Sequence, residues 1–412
     1  MVDIIIKDLE AEELDLDHRR IERISDIKGL DRMQNLQELT IADNFITKIS
    51  GLDNLINLRS LTIAGNPVKN FVGLENLPKL EFINANACRV SSLKGLKSLE
   101  KLKMIFLYDN KISTISNLDD LKSLERLDLA SNNIKEISGL NNLKNLKDLS
   151  LNGNKIPEIK NLEGLSNLKS LDLSWNQINE IKGLDKLQSL ENLELRGNKI
   201  KKMTGLSSLK NLQHLDLLAN EITDIEGLDD LENLKTLILC FNKITKIKGL
   251  ESLKNLEILD LANFRRSPMP GDEPYDGFDN NNEITEISGL DELINLKGLY
   301  LTKNQINEIK GLYSLIKLER LDLAENSITV IKGLDNLTRL KKLYLEGNKI
   351  TNIRGLENLQ LLEVLDLEHN PIIKSELEII KDNSRYCYTT AKKAVQYSRE
   401  MKQIEENEGV SV

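Results

Sequence analysis

The sequence predicts an α/β repeat solenoid: a parallel concave sheet, short helical or 3₁₀ segments on the convex side, and a helical C-terminal cap. Two observations lead there. Asparagines recur at Asn44, Asn66, Asn110, Asn132, Asn154, Asn176, Asn198, Asn220 and Asn242, all separated by multiples of 22 residues, and the rhythm resumes at Asn282, Asn304, Asn326, Asn348 and Asn370. They follow the pattern L-x-x-L-x-L, with isoleucine in places and with an insertion before Asn282, and Cys88 fills the one rung missing before the gap. A fixed period of this length means stacked supersecondary units rather than separate globular domains.

One turn of the coil, starting at Leu234, shows how each element arises. Leu237 and Leu239 alternate with Thr236 and Ile238, which is the period of a short strand. The leucines point into the core, and Thr236, Ile238 and Cys240 are expected on the concave side. Asn242 then bends the chain; its amide both donates and accepts, so a column of such residues can satisfy the backbone groups that the bends expose. Ile244, Ile247, Leu250 and Leu253 continue the core on the return path. Seven residues after each rung stands nearly always a glycine, as at Gly51, Gly139, Gly183, Gly249 and Gly333, or an asparagine, Asn117 and Asn161; after Asn370 the position holds Leu377, where the coil stops. Glycine and asparagine adopt a left-handed backbone most readily, which predicts a positive φ where they stand.

The organisation along the chain follows. Residues 1–30 form an N-terminal cap and degenerate first turn, with Leu14, Leu16, Ile21, Ile24, Ile27 and Leu30 in its core and Arg19 at the rung. Residues 31–371 form the solenoid, interrupted by an insertion at 264–281 that contains Arg265, Arg266, Pro268, Pro270, Pro274, Tyr275 and Phe278. It is either a lid or a solvent loop, and its acids do not match a calcium-loop spacing. Residues 372–412 form a helical cap, with Ala391, Ala394, Val395, Ser398, Met401 and Ile404 on one face and a fraying tail from Glu405.

The repeats NKITKIKGLESLKNL and NKITNIRGLENLQLL resemble the leucine-rich repeats of the regulatory subunit of type-1 protein phosphatase, from about Leu14 to Pro371. The listerial internalins have similar repeats. The resemblance implies a horseshoe whose concave face holds a globular protein, a phosphatase in the regulator's case, through aromatics and acids at the middle strand position. Here that position ends in Tyr300, Asp322, Tyr344 and Asp366, which alternate aromatic and acid as the regulator's face does.

Three concave patches are candidates for partner binding. Phe82, Met104, Phe106 and Tyr108 are large apolar residues at outward positions of adjacent turns. Leu218, Ile238, Cys240, Phe241 and Ile258 form a second set, with Trp175 nearby. The acids Asp128, Asp172, Glu194, Asp216 and Asp260 form a column that would favour a basic partner surface. Each has a plainer explanation: scattered surface aromatics are ordinary, and L-D-L is a common strand sequence in such repeats.

The remaining classes are disfavoured. Acids outnumber bases, 65 to 56, so no basic stripe suits nucleic acid. No stretch is long and apolar enough to span a membrane. No phosphate-binding or dinucleotide motif occurs, and His18, His214 and His369 lie far apart. The expectation is therefore a non-enzymatic scaffold with no catalytic residues, cofactor, metal or small-molecule substrate. The N-terminus lacks the basic and apolar regions of a secretory signal, and Cys88, Cys240 and Cys387 are too widely spaced for a disulfide framework, so a cytoplasmic location is expected.

Overall fold

The computed structural model of the chain describes residues 4–263, 280–380 and 388–408. Nearly all of the insertion and Cys387 lie outside them. The chain resolves into two compact units, Met1–Asn198 and Lys199–Val412.

In the first unit the strands are β1 (Ile4–Ile5), β2 (Glu13–Asp15), β3 (Ile27–Lys28), β4 (Glu38–Thr40), β5 (Ser60–Thr62), β6 (Phe82–Asn84), β7 (Met104–Phe106), β8 (Arg126–Asp128), β9 (Asp148–Ser150), β10 (Ser170–Asp172) and β11 (Asn192–Glu194). The second unit contains β12 (His214–Asp216), β13 (Thr236–Ile238), β14 (Ile258–Asp260), β15 (Gly298–Tyr300), β16 (Arg320–Asp322), β17 (Lys342–Tyr344) and β18 (Val364–Asp366). It closes with helices α1 (Lys374–Ile380) and α2 (Tyr388–Glu408). β1 and β3 form a small parallel pair of their own; in each unit the other strands pair in parallel as turns of a β-solenoid.

Register follows the leucines. Leu39 pairs with Leu61, Leu61 with Ile83 and Ile83 with Ile105 in the first unit, and Leu237 with Leu259 and Leu259 with Leu299 in the second. Apart from β1 and β3, each of these strands is three residues long, so its central side chain points inward and its neighbours point out. Burial of one aliphatic residue per strand, repeated on the return path, is worth roughly 1.5–3 kcal/mol per side chain.

The asparagine column does what its chemistry allows. Asn176 Nδ2 donates to the carbonyls of Leu151 (2.9 Å), Leu173 (3.1 Å) and Ser174 (3.1 Å), and its Oδ1 accepts the Ile156 amide (2.9 Å). Cys88 manages one such bond, Sγ to the Ile63 carbonyl at 3.3 Å, and the Val68 amide turns to the Asn66 carbonyl instead. Burial pushes the Cys88 thiol up to about 11. At pH 8 only roughly one molecule in a thousand then carries the reactive thiolate. In a Cys387→Ser background, Cys88 should alkylate with iodoacetamide at least a hundredfold more slowly in the native chain than in urea; equal rates would contradict its burial. The unfolded thiol ionises first, so this residue's contribution to stability is present below about pH 9 and lost as pH rises toward 11.

On the return path, successive leucine amides bond to the carbonyl three residues back, as Leu55 to Leu52 and Leu58 to Leu55, both 2.9 Å. Among the described residues only Ile24–Asp26 and Leu30–Arg32 are regular 3₁₀ helices; elsewhere the convex side is a chain of turns. The predicted left-handed turns are present, with φ 70° at Gly183, 61° at Asn117 and 59° at Asn161. A second left-handed position, just before each rung, was not anticipated: it holds Asp43, Ser131, Trp175 and Phe241 at φ between 51° and 54°.

Three expectations at the ends are corrected. Leu14 is only half-buried, because among the described residues no strand pairs with the outer side of β2. Within α2, Ala391, Ala394 and Ser398 are buried but Ile404 is 45% exposed, so the inward face is shorter than its apolar pattern. The chain from Glu405 does not fray at once; α2 continues to Glu408, and Glu405 accepts a hydrogen bond from Arg354 Nε at 3.2 Å.

Candidate concave interaction site

The first unit presents one continuous surface across β6 to β11. At its start Phe82 and Phe106, diagonal positions on β6 and β7, pack with ring centroids 5.6 Å apart, and the Arg126 guanidinium lies 5.2 Å from the Phe106 ring. Met104 and Tyr108 flank them at 38% and 49% exposure. This leaves a contiguous apolar surface, with a cation on one side, that the strand geometry cannot fold inward because the core positions are already taken by Ile83, Ile105 and Leu107.

Beyond Arg126 the surface dips into a concavity of about 440 Å³. Its charged lining comprises Asp128, Asp148, Asp172 and Glu194 against Arg126 and Arg196. Burial raises the Asp128 carboxyl above the usual carboxylate range, opposed by the Ala130 amide and Arg126. Glu194 is engaged by Arg196 Nε at 3.0 Å, and Asn152 donates to Asp172 Oδ2 at 3.3 Å.

The acid column has a local structural task that sequence reading did not see. Oδ1 accepts the amide two residues on, from Ala130 to Asp128 (2.9 Å), Ser174 to Asp172 (2.9 Å), Leu218 to Asp216 (2.9 Å) and Ala262 to Asp260 (3.1 Å). Aspartate at this position therefore shapes the turn that follows each strand. Asp216 and Asp260 are also buried, so the expectation of an open acidic column is corrected in the second unit.

Trp175 borders the concavity at 40% exposure. It occupies the left-handed position before its rung at φ 54°, where the adjacent turns have Gly153 and Gly197. A bulky residue held there costs roughly 1–2 kcal/mol relative to glycine. Its ring lies over Gly197, so that a methyl at Gly197 would collide with it.

The second candidate patch is corrected. Leu218, Ile238, Cys240 and Phe241 are 0–2% exposed and form a buried cluster with Ala262, against which Ala219 and Tyr300 pack. Large side chains in consecutive turns fill the space above their own strands and exclude water, so Ile238 and Phe241 are core, not exposed anchors. Tyr300 and Tyr344 are likewise engaged: the Arg320 guanidinium is 4.9 Å from each ring, stacked between them. Gly298 leaves room for this, since a methyl there would lie 3.0 Å from the Tyr300 ring.

Comparison with known proteins agrees with this architecture. The family profile for Leucine Rich repeats (2 copies) matches residues 34–76, 100–142, 122–167, 166–208, 188–230, 232–270, 316–358 and 338–381, more than half of the chain. A search of curated proteins gives no match. Among solved structures, a leucine-rich-repeat protein of Leptospira interrogans is 26% identical, with 90% of this chain and 93% of that one covered and a TM-score of 0.78. An internalin of Listeria monocytogenes is 28% identical over 76% of this chain and 87% of its own, with a TM-score of 0.65. The TLR13 chain of a TLR13–ssRNA13 complex is 26% identical over 83% of this chain and 51% of its own, with a TM-score of 0.67. These likenesses support the repeat class and internalin-like neighbours; they do not support the finer resemblance to the phosphatase regulator.

Proposed function

Because the chain belongs to the leucine-rich-repeat family, we propose that it is a non-enzymatic scaffold that holds a globular protein against the concave surface of its first unit. The observation that carries this reading is the adjacency of the exposed Met104 and Tyr108, beside Phe82 and Phe106, to the acid-lined concavity bordered by Trp175. Aromatic anchors next to a polar rim are the usual makeup of a protein-binding hot spot. Four carboxylates against two guanidiniums in the concavity favour a basic protein surface over a phosphate backbone. This argues against an RNA ligand of the kind in the TLR13 complex.

A type-1 phosphatase catalytic subunit is the first partner to test, in a cytoplasmic setting; the buried thiols of Cys88 and Cys240 suit a reducing compartment. The second reading is an internalin-type adhesin, favoured by the 28% identity to the listerial protein. Affinity capture from native cytosol, with purified phosphatase catalytic subunit as a separate arm, should retain a protein on the wild-type chain. A Phe106→Ala, Tyr108→Ala, Trp175→Ala variant of unchanged fold should bind it at least tenfold more weakly, by loss of two or more anchors worth over about 1 kcal/mol each. Equal retention would refute the first-unit surface. Binding of an extracellular receptor ectodomain with no cytosolic partner would favour the adhesin.

A further inference from the structure

The two ends of the repeat array are closed differently. At the C-terminal end α2 lies against β18 and buries Ala391, Ala394 and Ser398. At the N-terminal end β2 is the outermost strand of the solenoid sheet, and its one partner among the described residues is β4. The Leu16 amide bonds to the Thr40 carbonyl, and the Gln37 and Glu38 amides bond to the Glu12 carbonyl. Backbone groups alternate sides along a strand, so those of Glu13 and Asp15 face out of the sheet. Leu14 is half-buried, whereas its register equivalents Leu39 and Leu61 are 2% and 0% exposed. Beside it, between β1 and β2, lies a cleft of about 480 Å³ whose apolar lining is Ile4, Ile5, Ile6, Ala11, Leu14 and Leu16, with Lys7, Asp8, Glu13 and Arg19 as its charged lining. The segment around this edge is acidic: Asp8, Glu10, Glu12, Glu13, Asp15 and Asp17 stand against Lys7 alone between residues 7 and 17.

We propose that this open edge is a docking site for an extended segment of a partner protein in which apolar residues alternate with lysine or arginine. The segment adds as a strand outside β2, bonding the outward amides and carbonyls of Glu13 and Asp15. Its apolar side chains enter the cleft against Leu14, and its cations face the carboxylates of Glu13 and Asp15. A second copy of the chain is a poorer occupant, because its own Glu13 and Asp15 would meet these acids across the strand pair. The site is separate from the concave surface of β6 to β11 and stands or falls independently of it.

The test is fluorescence anisotropy of the whole chain with a labelled twelve-residue peptide of alternating lysine and valine. The wild type should bind it, and a glutamate-valine peptide should not bind. Peptides N-methylated either at every lysine or at every valine keep their side chains but lose one side's donors. One of the two should bind roughly tenfold more weakly and the other nearly as well as the parent, since net hydrogen bonds of about 1 kcal/mol each are lost on one side only. Asp15→Pro removes an outward amide and none that faces β4, so it should weaken binding by a similar factor relative to Asp15→Ala, which loses the same carboxylate and its bond to the Asp17 amide but keeps the backbone donor. Absent binding, equal effects of the two N-methylated peptides, or binding indifferent to Asp15→Pro in a folded variant would overturn the proposal. A dimer seen by sedimentation and abolished by Asp15→Pro would also overturn it, by assigning the edge to a second copy. The N-methyl comparison uses wild-type chain and stands even if Asp15→Pro fails to fold.

Discussion

Replacing Asn242 with alanine is expected to destabilise the second unit by about 3–5 kcal/mol, the largest effect of any single polar substitution considered for this chain. The side chain is fully buried. Its Oδ1 accepts the Ile222 amide at 3.0 Å, and its Nδ2 donates to the carbonyls of Leu217 (3.0 Å), Leu239 (3.1 Å) and Cys240 (3.2 Å). Alanine leaves the Ile222 amide without a partner in a dry interior, at a cost of roughly 1–3 kcal/mol, and takes one donor from each of the Leu217, Leu239 and Cys240 carbonyls, which keep Asn220 Nδ2, Asn282 Nδ2 and the Ala219 amide. Urea unfolding would give the total, and hydrogen exchange at Ile222 would locate it, because repeat arrays can lose cooperativity locally. Asn336→Ala is the control: that side chain is exposed and makes one bond, to the Tyr313 carbonyl at 3.1 Å, so its loss should cost less than about 0.5 kcal/mol. A loss under about 1 kcal/mol for Asn242→Ala would mean that the column does not hold the turns together.

Gly95→Ala should cost about 2–4 kcal/mol, whereas Gly183→Asn, at the same place in another turn, should cost under about 1 kcal/mol. Gly95 has φ 102°, beyond the left-handed well that other residues can enter, and an added methyl would collide with the Phe71 carbonyl. Gly183 has φ 70°, inside that well. The chain already shows how asparagine is accommodated there: Asn161, at φ 59°, donates from Nδ2 to the Ile137 carbonyl at 2.7 Å. The group that would repel a methyl instead accepts a hydrogen bond. Melting temperatures of the two variants would separate these cases, and equal losses would show that φ alone does not set the cost.

The solenoid was legible because its determinants repeat. A leucine that must be buried every 22 residues, and an asparagine that must bridge adjacent bends, leave their marks at fixed intervals. The left-handed turn at Gly183, Asn117 and Asn161 was legible for a similar reason, since two residue types share a backbone requirement. The left-handed position before each rung was not, because it admits Asp43, Ser131, Trp175 and Phe241 alike; local strain is overridden there by the register of the flanking strands.

Sequence alone determined which residues line the core, where the chain turns, and that large apolar groups point away from the core at Phe82, Met104, Phe106 and Tyr108. Those properties depend on periodicity, and periodicity is a one-dimensional quantity. Tertiary structure alone decided which outward residues reach solvent. Ile238 and Phe241 occupy outward positions as Phe106 and Tyr108 do, yet they are 1% and 2% exposed, because Leu218, Cys240 and Ala262 of the same and adjoining turns pack around them. It also decided that Tyr300 and Tyr344 clasp Arg320, and that Asp128 and Asp172 each give one oxygen to a neighbouring amide. Exposure is set by what neighbouring turns place alongside a residue, and the period of the repeat is silent about the size of those neighbours.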